Sequence, residues 1–348
     1  MKALLNILKY VLLLGISAAL MWYAVRGQDL SRVGQAILQA NYFWLGLSVG
    51  ISVLGYFSRA YRWQMQLTAS RTPASYWATY HAMMVGYLAN LVLPRAGEVI
   101  RCSVLKRTSN VPVQVALGTV VTERVIDVLV LGLLLGSTLL LDFNTFWHFF
   151  NDQLLGGRAD SLARNPTPLV LAAVAALVLL GAAAYTVFRN LERLRQHALF
   201  GKAIKFLRGL LTGFLSVLKL ENKGLFLLHT LFTWSVYYFL TYLAFRCFPS
   251  TEGLDWKAGL AVLTFGTFGM AAPVAGGIGP YHVLVQGVLL VYGLSKEEGI
   301  AYALLVHGAQ TLLVVLLGGI SFVAVAAKDK HSLVEEAEVL VDEPLTSE

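Results

Sequence analysis

Long apolar runs separated by short polar links set the pattern of this chain. Leu4 to Val25 is the first run, and at about 1.5 Å per residue it is long enough to cross a bilayer core of about 30 Å. Asn41 to Gln66 follows, with Arg59 and Arg62 near its far end, and then Val113 to Leu141, Pro168 to Phe188, Gly224 to Phe248 and Glu298 to Ala327. These runs predict six full membrane spans. Two further apolar segments are interrupted. Trp77 to Leu93 halts at Pro94, and Lys257 to Ala272 breaks over Pro273 to Gly279 before Pro280 to Leu294 resumes.

Proline removes a backbone donor, and the glycines beside each break tolerate irregular backbone, so an apolar helix entering a bilayer there stops short and turns back. The two breaks echo each other: Pro94-Arg95-Ala96-Gly97 in the first and Pro273-Val274-Ala275-Gly276 in the second. The pattern therefore predicts re-entrant helical hairpins over 77–101 and 257–294. Placing the N-terminus, the Arg59 to Arg107 region, the Arg189 to Lys223 segment and the C-terminus in the cytoplasm puts most of the Lys and Arg there, as the positive-inside rule requires. On that orientation the first hairpin dips from the cytoplasm and the second from outside. The expected fold is an all-α polytopic membrane protein of six full spans plus two re-entrant hairpins. It is arranged as two inverted repeats, 1–165 and 166–327, with a disordered acidic cytoplasmic tail over 328–348. Eight ordinary crossings without symmetry are the alternative. The 142–168 loop is expected to hold little regular structure, and 189–223 to form an amphipathic helix on the membrane surface.

Composition agrees with this reading. Of 348 residues, 57% are hydrophobic and only 14% charged, where soluble domains carry about a quarter. The formal charge of +7 sits at the ends of apolar runs and not in an aromatic-interleaved patch, so membrane orientation explains it better than nucleic acid. Cys102 and Cys247 fall at opposite membrane faces on this topology, which argues against a disulfide, and no metal-ligand spacing occurs. The start of the chain lacks a convincing small-x-small cleavage site, so it reads as a first span and not as a signal peptide.

Charge inside the apolar runs is the candidate chemistry. Glu123 and Asp127 are four apart and share a helix face, roughly 15 to 21 Å along a helix entered at Val113. Arg124 lies beside them. Ionisable groups at that depth are costly and need partners. Arg59, Arg62, Arg95 and Arg101 are available at a similar level, so five arginines face Glu98, Glu123 and Asp127 and leave a surplus of positive charge. Arginine suits bidentate contact with phosphate or carboxylate oxygens. The surplus points to an anion site; a purely structural ion-pair network is the competing reading, with Arg59 and Arg62 snorkelling to the interface, and taken singly Arg62 and Arg101 are expected to snorkel. In the second hairpin Gly276, Gly277 and Gly279 expose backbone amides ahead of Pro280, and His282 stands close by as a proton carrier or headgroup contact. His307 and Gln310 on the last span are candidates for coupling. The aromatic run Trp234, Tyr237, Tyr238 and Tyr242 reads as packing and an interfacial belt.

Arg59-x-x-Arg62-Trp63, the L-P-R-A-G-E-x-x-R run from Leu93 to Arg101, Glu123-Arg124-x-x-Asp127 and Pro273-x-x-Gly276-Gly277-Ile278-Gly279 together resemble the flippase-like family named for the transmembrane region of lysylphosphatidylglycerol synthetases. The resemblance spans nearly the whole chain. It implies an integral protein of a bacterial-type cytoplasmic membrane that handles an anionic phospholipid or polyprenyl-linked phosphate. The chain leaves no room for the soluble aminoacyl-transferase domain of the synthetases, and Pro280-Tyr281-His282 stands where many members carry a glutamate. The expected function is a lipid translocase, not an enzyme, without cofactor. A non-transporting partner of a lipid- or glycolipid-modifying complex is the alternative, and an intramembrane enzyme is disfavoured because no nucleophile stands paired with a base. The residues leave open which lipid, which direction, which energy source and which oligomeric state.

Overall fold

A computed structural model describes the backbone of residues 2–149 and 220–342, and the side chains of 12–147 and 220–328. The expected span at Pro168 to Phe188 and nearly all of the expected surface helix lie outside the described residues. Every described element is helical: α1 (Lys2–Val25), α2 (Leu30–Leu38), α3 (Tyr42–Ala69), α4 (Tyr76–Val92), α5 (Gly97–Ser109), α6 (Val113–Leu141), α7 (Phe143–Phe149), α8 (Lys223–Ala244), α9 (Trp256–Ala271), α10 (Pro280–Val291) and α11 (Lys296–Asp342).

Capping chemistry fixes several of the starts. The side chains of Asp29, Asn41, Ser75 and Asp255 each accept backbone N–H groups at the N-termini of α2, α3, α4 and α9. The Asp29 cap creates an element absent from the sequence reading. Residues after Arg26 read as a polar link, yet α2 forms there, buries Val33, and meets α3 at 77°. α11 also runs beyond its expected end, continuing to Asp342 through the stretch expected to be disordered. Acidic residues alternate there with Ala, Val and Leu, good company for a helix that is already nucleated.

Among the described residues three helices are long and apolar enough to cross a membrane, α6, α8 with its terminal turn, and the Lys296–Lys328 part of α11, or four if the bent α2–α3 pair counts as one. Their outer faces present Leu133, Leu140, Leu231, Leu312, Leu316 and Val323 unburied, which suits contact with lipid chains. The chain is an integral membrane protein.

Among the described residues two large cores form, one around each broken segment, beside a small cluster of Leu131, Trp234 and Leu263. Ala60, Trp63, Met83, Met84, Cys102 and Leu105 are fully buried between α3, α4, α5 and α6. Ala258, Val262, Val285, Leu289, Ala301 and Tyr302 are buried between α9, α10 and α11. In lipid such helices gain little from apolar transfer and associate through close packing and polar contacts. Glycine supplies the closeness. A Cβ at Gly97 would collide with the Gly86 carbonyl oxygen, where α5 crosses α4, and one at Gly269 would lie 2.5 Å from the Tyr281 Cα, where α10 crosses α9.

Candidate functional site

The first broken segment and its neighbours converge on Glu123. Arg59 and Arg62, three apart, face α6 from α3, and Arg101 reaches it from α5. Glu123 Oε1 accepts from Arg59 and, at 3.2 Å, from Arg62, while Oε2 accepts from Arg101 at 3.0 Å. Asp127, one turn on, accepts from Arg62 at 3.0 Å and from Arg59 at 3.4 Å. Arg124 turns outward and pairs with Glu98 at 3.2 Å and with Asp127 at 3.8 Å. The inner members are closed off: side-chain exposure is 1% for Arg62 and Glu123 and 2% for Arg101. The outer members are accessible, at 18% for Asp127 and Glu98 and 38% for Arg124.

These positions correct two expectations. Arg62 and Arg101 do not snorkel; each is buried against Glu123, because α3 and α5 bring both to the carboxylate. Arg95 does not join the cluster. It adopts a left-handed backbone (φ 63°) at the turn after Pro94, and its guanidinium donates to the Ala271 carbonyl at the end of α9. Among the described residues the cluster therefore holds Arg59, Arg62, Arg101 and Arg124 against Glu98, Glu123 and Asp127, a surplus of one positive charge and not two. Burying like charges around one carboxylate is costly, and each extra polar partner lowers that cost.

Such partners were missed in the sequence. Tyr237 on α8, read as belt and packing, accepts from Arg59 at 3.0 Å, and Thr230 accepts from Arg62 at 3.4 Å. A signal was present, since Thr230, Thr233 and Tyr237 recur three and four apart as a polar stripe on one face of an apolar run. The Arg101 guanidinium lies 4.5 Å from the Trp63 ring centroid and that of Arg59 lies 5.6 Å from Tyr87. Trp63 is itself fixed by donating to Thr119 at 2.9 Å. Among the described residues Arg59 Nε, Arg101 Nε and Nη1, Arg124 Nε and the Tyr87 hydroxyl have no hydrogen-bond partner, and of the cluster's carboxylate oxygens Glu98 Oε2 has none. The arrangement offers donors in excess of acceptors, open on the Arg124 and Asp127 side.

The second broken segment is organised differently. Gly276, Gly277 and Gly279 have φ of 56°, 75° and 96°. Close neighbours also require glycine: a Cβ at Gly277 would lie 2.6 Å from Met270 Sδ, and one at Gly279 2.7 Å from the Ser17 carbonyl oxygen. Ser17 on α1 donates its hydroxyl to the Ile278 carbonyl. His282 and His307 stack, with ring centroids 4.9 Å apart. Both are buried, and Gly279 N–H donates to His282 Nδ1 at 3.4 Å. Gln310 stands one turn along α11, its Nε2 unpartnered among the described residues. The structure thus gathers His282 with His307 at the second segment and the arginines at the first, and the Arg95 contact with Ala271 joins the two tips. No group of His, Cys, Asp and Glu among the described residues could hold a metal. Cys102 and Cys247 are free.

The family model described as "Lysylphosphatidylglycerol synthase TM region" matches residues 9–318. No curated protein and no solved structure matches the chain.

Proposed function

The chain belongs to the lysylphosphatidylglycerol synthase TM region family, and on that premise we propose that it moves an anionic phospholipid or lipid-linked phosphate headgroup across a bacterial-type cytoplasmic membrane. The observation that carries this reading is the donor excess around Glu123. Four guanidinium groups meet three carboxylates, and the accessible edge of the cluster is the one that bears Arg124. A phosphate entering there is a second acceptor for Arg124 and, behind it, Arg59. Glu123 and Asp127 hold the arginines apart until it arrives. The acyl chains stay against the apolar outer faces of the helices.

Packing supports two inverted repeats. α4 packs on α11 as α9 packs on α6, and α5 packs on α6 as α10 packs on α11. α3 lies against α4 and α8 against α9, while α3 and α8 pack on each other. These contacts correspond between the two halves in the way a two-fold axis in the membrane plane would produce, although α3–α6 has no such counterpart among the described residues. On this reading α4–α5 and α9–α10 are re-entrant hairpins dipping from opposite faces, with both termini in the cytoplasm and six full spans in all. Arg95 bridges the tips and closes the path between them.

Purified protein in liposomes carrying fluorescent phosphatidylglycerol or phosphatidylcholine tests the proposal. Faster flipping of phosphatidylglycerol, slowed by Arg59→Gln or Arg124→Gln in folded protein, is the expected result. Movement of neither lipid, or of both alike, contradicts it.

A further inference from the structure

The tip of the second segment carries chemistry that the headgroup site does not use. His282 and His307 are 4% and 6% exposed and stack at 26° between their planes. His282 Nδ1 accepts the Gly279 amide proton, so that nitrogen carries no proton of its own, and its lone pair closes the turn in the manner of a side chain capping its own helix. His307 Nδ1 has no partner among the described residues.

The surroundings name few competitors. The titratable group that faces His282 is His307, and the Gly276 backbone faces His307. Tyr281 stands edge-on to both rings, at 5.7 and 4.8 Å. From α1 comes Ser17, spent on Ile278; from α9, Met270 against Gly277; from the first segment, Arg95, spent on Ala271. Gln286, further along α10, donates to the Ala24 and Lys296 carbonyls. Among the described residues no carboxylate stands against the pair. A proton bound at His282 Nδ1 takes the lone pair that holds Gly279 N–H, at the residue whose backbone is wedged against α1. A second proton on His307 is opposed by the first across 4.9 Å. Protonation of the pair and closure of the turn therefore compete for one lone pair.

We propose that His282 and His307 form a one-proton binding site whose occupancy releases the Gly279 turn from α1 and couples headgroup translocation to movement of a proton. This rests on the translocation reading above. The ion bound is a proton and not a metal, since two imidazoles without further ligands make a poor metal site.

Proteoliposomes containing fluorescent phosphatidylglycerol, with and without a pH step across the membrane, test it. For one proton per lipid, each unit of pH difference shifts the lipid ratio between leaflets up to about tenfold. His282→Asn supplies an oxygen that accepts Gly279 N–H but takes no proton, and its ratio with and without the step falls to about one. A wild-type ratio of one, or an Asn variant that keeps the wild-type ratio, overturns the proposal. If the wild type moves no lipid under either condition, the translocation reading fails and the proton site is decided separately by amide exchange over residues 274–283, corrected for intrinsic rates. Exchange that rises several-fold as the pH is lowered in the wild type, and not in His282→Asn, supports the site; equal profiles in the two proteins overturn it.

Discussion

The arms of the first broken segment, α4 and α5, touch through Gly86 and Gly97; those of the second, α9 and α10, touch through Gly269 and Tyr281. Each tip follows a proline and turns through a left-handed residue, Arg95 in one and Gly276 in the other. Past the tip, each returning arm delivers one buried polar side chain to the next long helix: Arg101 to Glu123 on α6, and His282 to His307 on α11. One backbone plan therefore carries two chemistries. Permanent charge at the first segment fixes a set of donors in place and suits binding. Neutral, titratable rings at the second leave the tip held by single hydrogen bonds and suit movement.

The largest expected effect separates the two directly. Glu123→Gln leaves Arg59, Arg62 and Arg101 without the charge they share, and removing one partner from a buried ionic network costs about 3–5 kcal/mol. His307→Gln removes no charge balance, and its cost is well below that. Thermal unfolding in detergent measures both, and equal losses would break the contrast. Next in size is the glycine crossing. Gly97→Ala forces the α4 and α5 backbones apart and costs at least the ~1–3 kcal/mol typical of overpacking, with Gly269→Ala within that range. Gly287→Ala, on an open face of α10 with nothing within 4 Å of its Cβ, is the control and is neutral or stabilising. A smaller effect belongs to the Arg95 turn. Arg95→Gly and Arg95→Ala both lose the bond to Ala271, but glycine also relieves the left-handed backbone and is the more stable by about 1 kcal/mol. Ser17→Ala removes the hydroxyl bond to Ile278, worth about 0.5–1.5 kcal/mol, and its loss shows as faster amide exchange at the second tip with little change at the first.

Where the chain breaks was legible in its sequence, because proline and glycine act on the backbone alone. α6 begins at Val113 and ends at Leu141 as the apolar run indicates, and the interruptions fall at Pro94 and Pro273. α2 was hidden because nine residues with one buried position read as a polar link until the Asp29 cap is recognised as a start. At the site, spacing placed Glu123 and Asp127 on one face, with Arg59 and Arg62 at a similar level on the neighbouring run, and the structure brings them together. Spacing carries no information on which neighbour a face meets, so the burial of Arg62 and Arg101 and the share taken by Tyr237 were out of reach. Arg95 went astray for a further reason. Its direction is set by one left-handed dihedral, which depends on the approach of the second tip.

Native mass spectrometry reads the single guanidinium in excess at Glu123 most directly. Wild type and Arg101→Gln, which equalises the arginines and carboxylates while keeping a donor for Glu123, are released from micelles containing equal phosphatidylglycerol and phosphatidylcholine. Preferential retention of phosphatidylglycerol by the wild type, lost in a folded Arg101→Gln, is the predicted result. Identical retention of both lipids by both proteins would contradict it.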